Sequence, residues 1–340
     1  MSSRTIARIR SADLRVAVPL GGLLILAIFA PVLMIALGVP PYWFHVSIVA
    51  MYYAILAASW SLLAGYAGQF SFGTMAFMAI GAYTAGLLGQ YMAVGVVPGI
   101  ILGTLLAGVF GFIIGALTLR LRRTYLALFT IAFSEILRLV LMAEHRITEG
   151  PDGLSMVPLV NTTSKVPAYY IHLALLVFGL AFMYALVRSR FGLFFRSIRE
   201  DEEAAAALGV HVVRYKIFVF VVTSMIAGLA GAVQFHYVEI ITPNVILILQ
   251  MSIVITMAVI GGIESLIAAA FGAILIQFGL EIMRPLLNWR LVVFGLLLML
   301  TLRFFQNGLL HPVLQYVLRR EEALAETVAK RKLPSESEPA

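Results

Sequence analysis

Val97-Pro-Gly-Ile-Ile-Leu-Gly-Thr-Leu-Leu-Ala-Gly-Val-Phe-Gly-Phe-Ile-Ile-Gly-Ala-Leu-Thr-Leu119 runs for 23 residues without a charge and stops at Arg120-Leu-Arg-Arg123. Coiled as an α-helix it would reach about 35 Å, enough to cross a hydrocarbon layer of about 30 Å. The arginines that end it would then sit among lipid headgroups. Other apolar stretches near the length of a crossing, about 17–25 residues, flank it. They are Val16–Gly38, Val46–Tyr66, Phe70–Gly89, Thr124–Ala143, Val166–Val187, Tyr215–Val238, Val245–Gly261, Ser265–Met283 and Leu286–Leu302. Together these predict an all-α polytopic membrane protein with about ten transmembrane helices.

Composition agrees. Of 340 residues, 61% are hydrophobic and 12% charged, with a mean hydropathy of +0.99. Soluble domains run at about 45–50% apolar and about 25% charged. So little charge cannot cover a globule of this size, and the lipid bilayer is the first partner the sequence implies. Disordered and collagen-like chains are excluded by the same figures. With no cysteine, neither a disulfide framework nor a Cys-ligated metal site can form. The run from Val16 follows four arginines, as a signal peptide would. It is too long for one and ends in Gly38-Val-Pro-Pro41, so it is expected to stay as the first spanning helix.

Orientation follows from the cations. Put the N-terminus in the cytoplasm and alternate sides. The cytoplasmic segments then hold Arg4 to Arg15, Arg120 to Arg123, six cations from Arg188 to Lys216 and six from Arg303 to Lys332, which is 19 of the 24 Lys and Arg. Such an excess is the positive-inside pattern. Tyr42, Trp43, Tyr91, Tyr169, Tyr170, Tyr237 and Trp289 fall at the opposite ends, where amphipathic rings favour the interface. Both termini are therefore expected in the cytoplasm. A basic arm occupies residues 1–15, a transmembrane domain 16–304 and a polar tail 305–340. The net charge of +7 is accounted for by topology, and no nucleic acid partner is expected.

Enzyme chemistry has no visible support. None of the four lysines follows a glycine, so there is no phosphate loop for ATP. Neither H-E-x-x-H nor G-x-S-x-G occurs, and the six histidines are scattered singly. No catalytic residue, metal ligand or bound cofactor is expected.

Three polar islands interrupt the apolar chain. The first is Arg188-Ser-Arg-Phe-Gly-Leu-Phe-Phe-Arg-Ser-Ile-Arg-Glu-Asp-Glu-Glu-Ala-Ala-Ala-Ala-Leu-Gly209, within a cytoplasmic segment over 188–214. Arginines interleaved with Phe191, Phe194, Phe195 and Ile198 suit a headgroup boundary. The acids from Glu200 to Glu203 suit a helix N-terminus, the alanines permit close approach, and Gly209 can take the left-handed conformation that ends a helix. Such a helix fits a partner's groove. An ordinary solvated connector has the same composition, and both readings are open.

The second island is Gly65-Tyr-Ala-Gly-Gln-Phe-Ser-Phe-Gly73. Each glycine costs a helix up to about 1 kcal/mol. The segment is either a broken helix beside a wet path, with Gln69 and Ser71 supplying polar groups, or a tight cytoplasmic turn. The third island is Glu135 with Arg138, deep in the fifth helix, where a charge costs at least about 2.5–3.5 kcal/mol. Three residues apart, they can pair on one face. They line a path, or they form a structural pair against neighbouring helices or a partner subunit.

Glu203-Ala-Ala205, followed after three residues by Gly209, is similar to the EAA-x-x-x-G signature with which permease subunits of bacterial ABC importers contact their ATPases. The downstream Ile-x-Leu-Pro part of that signature is missing here, and Arg214-Tyr-Lys216 leads straight into the next helix. Phe191-Gly192, Ile198-Arg-Glu-Asp201, Ala67-Gly-Gln-Phe-Ser-Phe-Gly73, Ile80-Gly-Ala-Tyr83, Ala132-Phe-Ser-Glu135 with Arg138, and Gly150-Pro-Asp-Gly-Leu154 widen the likeness. Ile260-Gly-Gly262, Phe294-Gly-Leu-Leu297 and Asn307-Gly-Leu309 continue it. The set resembles the LivM-type permeases of branched-chain amino acid importers.

That resemblance implies a multi-pass subunit of a bacterial inner membrane that forms the path with a homologous second permease. Two ABC ATPase subunits would use the ATP, and an extracytoplasmic binding protein would deliver substrate. Glu200, Glu203, Ala204, Ala205 and Gly209 would contact the ATPases. Gln69, Ser71, Gly73, Glu135 and Arg138 are the candidates for the translocation path. Similar permeases serve urea, short amides or aromatic acids, so the substrate is open. An ion-coupled secondary transporter is the other class considered. It would need a lone intramembrane carboxylate, which Glu135 beside Arg138 supplies poorly.

Overall fold

The computed structural model describes residue 22 and residues 24–304, apart from 119–122, 163 and 287–288. The basic arm, the polar tail, Arg120 to Arg122 and Asn307-Gly-Leu309 lie outside the described residues. In chain order the helices are α1 (Leu24–Ala36), α2 (Tyr42–Ser61), α3 (Thr74–Met92), α4 (Val96–Thr118), α5 (Arg123–Ala143) and α6 (Val166–Arg188). There follow α7 (Arg190–Glu200), α8 (Glu202–Ala207), α9 (Val212–Val238), α10 (Ile248–Gly261), α11 (Leu266–Ile282) and α12 (Trp289–Phe304). Two short strands, β1 (Leu154–Ser155) and β2 (Ile240–Ile241), pair antiparallel with Leu154 opposite Ile241.

Among the described residues, five helices are long and apolar enough to cross a membrane, or six if α10 and α11 count as one span. The five are α2 with its extension to Tyr66, α4, α5 from Tyr125, α6 and α9. The chain is thus a helical membrane protein. The expected eighth and ninth crossings are α10 and α11, and these two are bent by 119° to form a V. Local chemistry explains the bend. Gly262, at φ +132°, ends α10, and the Ser265 hydroxyl accepts a hydrogen bond from the Ala268 amide at 3.3 Å to start α11. At 14 residues, α10 is only about 21 Å long, too short to cross alone.

The bundle is built around α2, whose apolar window is 89% buried, whereas that of α5 is 22% buried. Lipid gives no hydrophobic force to press helices together, so association relies on close packing. It is very close between α3, α4 and α9. A Cβ added to Gly81 would lie 2.3 Å from the Gly228 carbonyl oxygen, and one on Gly103 would lie 2.3 Å from that of Gly81. Any side chain at these positions would separate the backbones.

Polar groups gather at the two ends. At one end α7 lies against the turn after α2 and reaches the turn between α10 and α11 through Arg199, while α8 packs on α7 and α9. At the other lie the Gln90 amide, which donates to Glu149 at 3.0 Å, and a cluster of Tyr42, Glu281 and Arg284. Between the ends, α5 packs on α3 and on the 3-10 turn Pro243–Ile246 that precedes α10.

Candidate functional site

Two connections between helices, from α2 to α3 and from α9 to α10, leave regular helix, and they meet. Toward its end α2 widens into a π turn, Leu62–Tyr66, and the chain then runs without helix until Thr74. Gly68 turns it with φ +67°, and the Gln69 amide reaches back to the Leu63 carbonyl at 3.0 Å. From the opposite end, the chain leaving α9 descends through β2 and the Pro243–Ile246 turn before α10 starts. Phe72 from the first break and Ile246, Leu247 and Ile248 from the second line one cavity of about 370 Å³. Ile131, Ser134 and Glu135 of α5 complete it.

The polar groups of the first break are mostly used to hold its own backbone. The Ser71 hydroxyl accepts from the Gly73 amide at 3.1 Å, and the Trp60 indole donates to the Ser71 carbonyl at 2.8 Å. On the α5 side, the Thr130 hydroxyl accepts from the Phe72 amide at 2.9 Å and Ser134 reaches the Phe72 carbonyl at 3.4 Å. Gln69 and Ser71 are both buried. Of the path candidates, Glu135 lines the cavity, whereas Gln69, Ser71 and Gly73 do not and flank Phe72, which does.

Glu135 and Arg138 form a two-pronged ion pair on α5, at 2.5 Å from Nη2 to Oε1 and 3.0 Å from Nε to Oε2. Arg138 is further held by Met142 Sδ at 2.8 Å. Its side chain is 15% exposed, yet that of Glu135 is 47% exposed. The pair is therefore satisfied internally but not covered, and its acidic member faces the cavity.

The segment expected as one docking helix over Glu200–Gly209 is divided. Glu200 closes α7, and Asp201 leaves the helix with φ −151° and caps α8, accepting from the Glu203 and Ala204 amides at 2.9 and 3.0 Å. Glu200 thus lies at a C-terminal helix end, where the macrodipole does not favour an acid, and pairs with Arg199 at 2.7 Å. Ala204 and Ala205 also part company. Ala205 is buried with Ile198 and Val212, while Glu203, Ala204 and Ala207 face outward. Gly209 adopts φ +86° and lets the Val210 amide return to the Ala205 carbonyl at 3.1 Å. Leu208, not singled out from sequence, is 85% exposed at the helix tip. Lys216 at the start of α9 pairs with Glu202 at 2.5 Å.

A second cavity, of about 340 Å³, opens at the opposite end, with His45, Lys165, His236, Tyr237 and Glu239 in its lining. His45 Nδ1 meets the Tyr237 hydroxyl at 2.9 Å and His236 Nδ1 meets the Val157 carbonyl at 2.7 Å. Among the described residues no group of three or more metal-binding side chains converges.

Comparison with known proteins identifies relatives by sequence. Two curated relatives, both named high-affinity branched-chain amino acid transport system permease protein LivM, come from Escherichia coli K12 and Salmonella typhimurium. Each is 29% identical over 293 residues, covering 78% of this chain and 69% of the relative. A probable LivM permease of Methanocaldococcus jannaschii is 25% identical over 229 residues, covering 56% of this chain and 66% of the relative. No solved structure matches. The family described as "Branched-chain amino acid transport system / permease component" matches residues 42–302, a stretch that holds the two non-helical connections, the Glu135–Arg138 pair and α8, and the chain belongs to that family.

Proposed function

We propose that this chain is the path-forming subunit of a binding-protein-dependent ABC importer for branched-chain amino acids in a bacterial inner membrane. The observation that carries the path is the cavity where the two non-helical connections meet a half-open Glu135. Backbone outside regular helix is stable at membrane depth only where protein buries it or water reaches it. Helix ends beside such backbone also present their dipoles to a zwitterionic substrate. The relatives' names support the substrate class. A homologous second permease completes the path, and two ATPase subunits engage the outward face of α8. A binding protein docks at the end that carries β1 and β2.

The V supports the topology read from the cations. A bend of 119° exceeds a right angle, so α11 runs back toward the side from which α10 came. Ten helical segments then enter the membrane, and both termini lie with α7 and α8 in the cytoplasm. On this reading Glu135 faces the path and Leu208 stands in water beside an ATPase. The chain itself neither binds nor hydrolyses ATP.

Reconstitution tests the reading. The importer assembled from this chain, a second permease, two ATPases and binding protein is expected to concentrate leucine in liposomes only with ATP. The chain alone is expected to do neither. Concentrative uptake by the chain alone overturns the importer reading in favour of an ion-coupled carrier. Uptake of urea or a short amide in place of leucine overturns the substrate.

A further inference from the structure

Arg199 sits where three elements touch. Its Nη1 donates to the Gly65 carbonyl at 2.6 Å and to Glu264 Oε1 at 3.0 Å, and its Nη2 to Glu200 at 2.7 Å. Gly65 lies in the π turn that ends α2, among the carbonyls with no helical amide ahead of them. Glu264 lies in the turn between α10 and α11. The backbones around this guanidinium are in contact. A Cβ on Gly65 would lie 1.9 Å from the Ile263 carbonyl oxygen, and one on Gly68 would lie 3.0 Å from Arg199 Cγ. The Ser61 hydroxyl also donates to the Ile263 carbonyl at 2.7 Å.

Each partner leads to a wall of the cavity. From Gly65 the chain runs directly into the non-helical stretch that carries Phe72. From Glu264 the rigid α10 runs back to Ile248. In the other direction, Arg199 is two residues from Asp201, whose carboxylate caps α8. We propose that Arg199 is the positioning residue through which a displacement of α8 reaches the end of α2 and the turn of the V at once. This rests on the reading of α8 as the ATPase contact. A planar guanidinium suits the task because its donors point at separate acceptors in a fixed geometry, whereas an ammonium is a single point charge on a flexible stem. Glu200 and Glu264 both favour the charged form, and the Glu200 hydrogen bond contributes most to raising the Arg199 pKa.

The test uses the complete importer with Arg199→Lys, Arg199→Ala and Glu264→Gln, measuring ATPase co-purification and the ATP hydrolysed per leucine taken up. That ratio does not depend on how much folded complex is recovered. Co-purification is expected at the wild-type level, because the outward face of α8 is untouched. The ratio is expected to rise about tenfold in Arg199→Lys, the effect of losing one charge-assisted hydrogen bond, by more in Arg199→Ala, which loses all of them, and by less in Glu264→Gln. An unchanged ratio in Arg199→Lys and Arg199→Ala overturns the proposal, and so does loss of the ATPases from either. An Ala204→Trp importer run alongside isolates the premise. If it keeps its ATPases and wild-type uptake, α8 is not the contact, whatever Arg199 does.

Discussion

A carboxylate left half open in the middle of an apolar helix has few stable surroundings. Glu135 is covered on one side by the two-pronged bond to Arg138 and is bare on the other. Lipid on that bare side would strip its water, so the face must meet a wet cavity or another chain. Glu135→Gln leaves the less exposed Arg138 with a neutral partner, which costs about 1–3 kcal/mol and should lower the membrane yield. Glu135→Gln combined with Arg138→Met removes both charges and should restore the yield. In the assembled importer the double variant is expected to lose about tenfold in leucine uptake, because the cavity has lost its polar wall. Wild-type uptake by a well-assembled double variant would assign the pair to structure alone. The pairing itself was legible from a spacing of three residues. Which side of α5 stays open was not, because that depends on Ile246 to Ile248, more than a hundred residues away.

At the scale of elements, α8 is instructive because it is so short. Six residues make fewer than two turns, too few for a periodic pattern to reveal a buried side. The four alanines look equivalent in the sequence. Ile198 on α7 and Val212 on α9 decide that Ala205 is the one turned inward. Ala204→Trp and Leu208→Asp alter the free face, and each is expected to weaken ATPase co-purification about tenfold, as a residue central to an interface does. Ala205→Trp instead overfills the small cluster, at about 1–3 kcal/mol, and should loosen α8 from its seat, read as faster proteolysis between α7 and α9. Equal co-purification from all three would remove α8 from the interface. The long helices were easier to read, since 17 or more apolar residues in a row leave little choice. The breaks between them were only half legible. Gly65 to Gly73 announces itself through three glycines, and Thr242-Pro243-Asn244 marks the second break, but its course is set by pairing with Leu154, far away in the chain.

For the whole molecule the V of α10 and α11 decides where the chain ends. If both arms count, the C-terminus returns to the side of α7 and α8. A straight, single crossing would send it to the other side. A green fluorescent protein fused after residue 340 is expected to fluoresce in the cytoplasm, and alkaline phosphatase inserted near Asn161 is expected to be active outside. Phosphatase activity from a C-terminal fusion would mean that the V counts as one crossing. The cation count pointed to this arrangement from sequence, since 19 of the 24 Lys and Arg fall on one side if every crossing is counted. The bend itself could not be foreseen, because Gly261-Gly262 permits a turn without fixing its angle.

The glycine contacts between α3, α4 and α9 carry a mechanical consequence. Where Gly81 rests on Gly228 and Gly103 on Gly81, backbone meets backbone with no side chain between to act as a bearing. Sliding one helix past another there would drive a Cα into a carbonyl oxygen within a fraction of a residue step. Those three helices therefore turn as a single stiff block. A transport cycle has to find its travel elsewhere, in the thinly packed α5 and the short arm of the V. If α8 takes the stroke of an ATPase, as proposed, the seam is expected to act as its fulcrum, with each moving part geared by its distance from it.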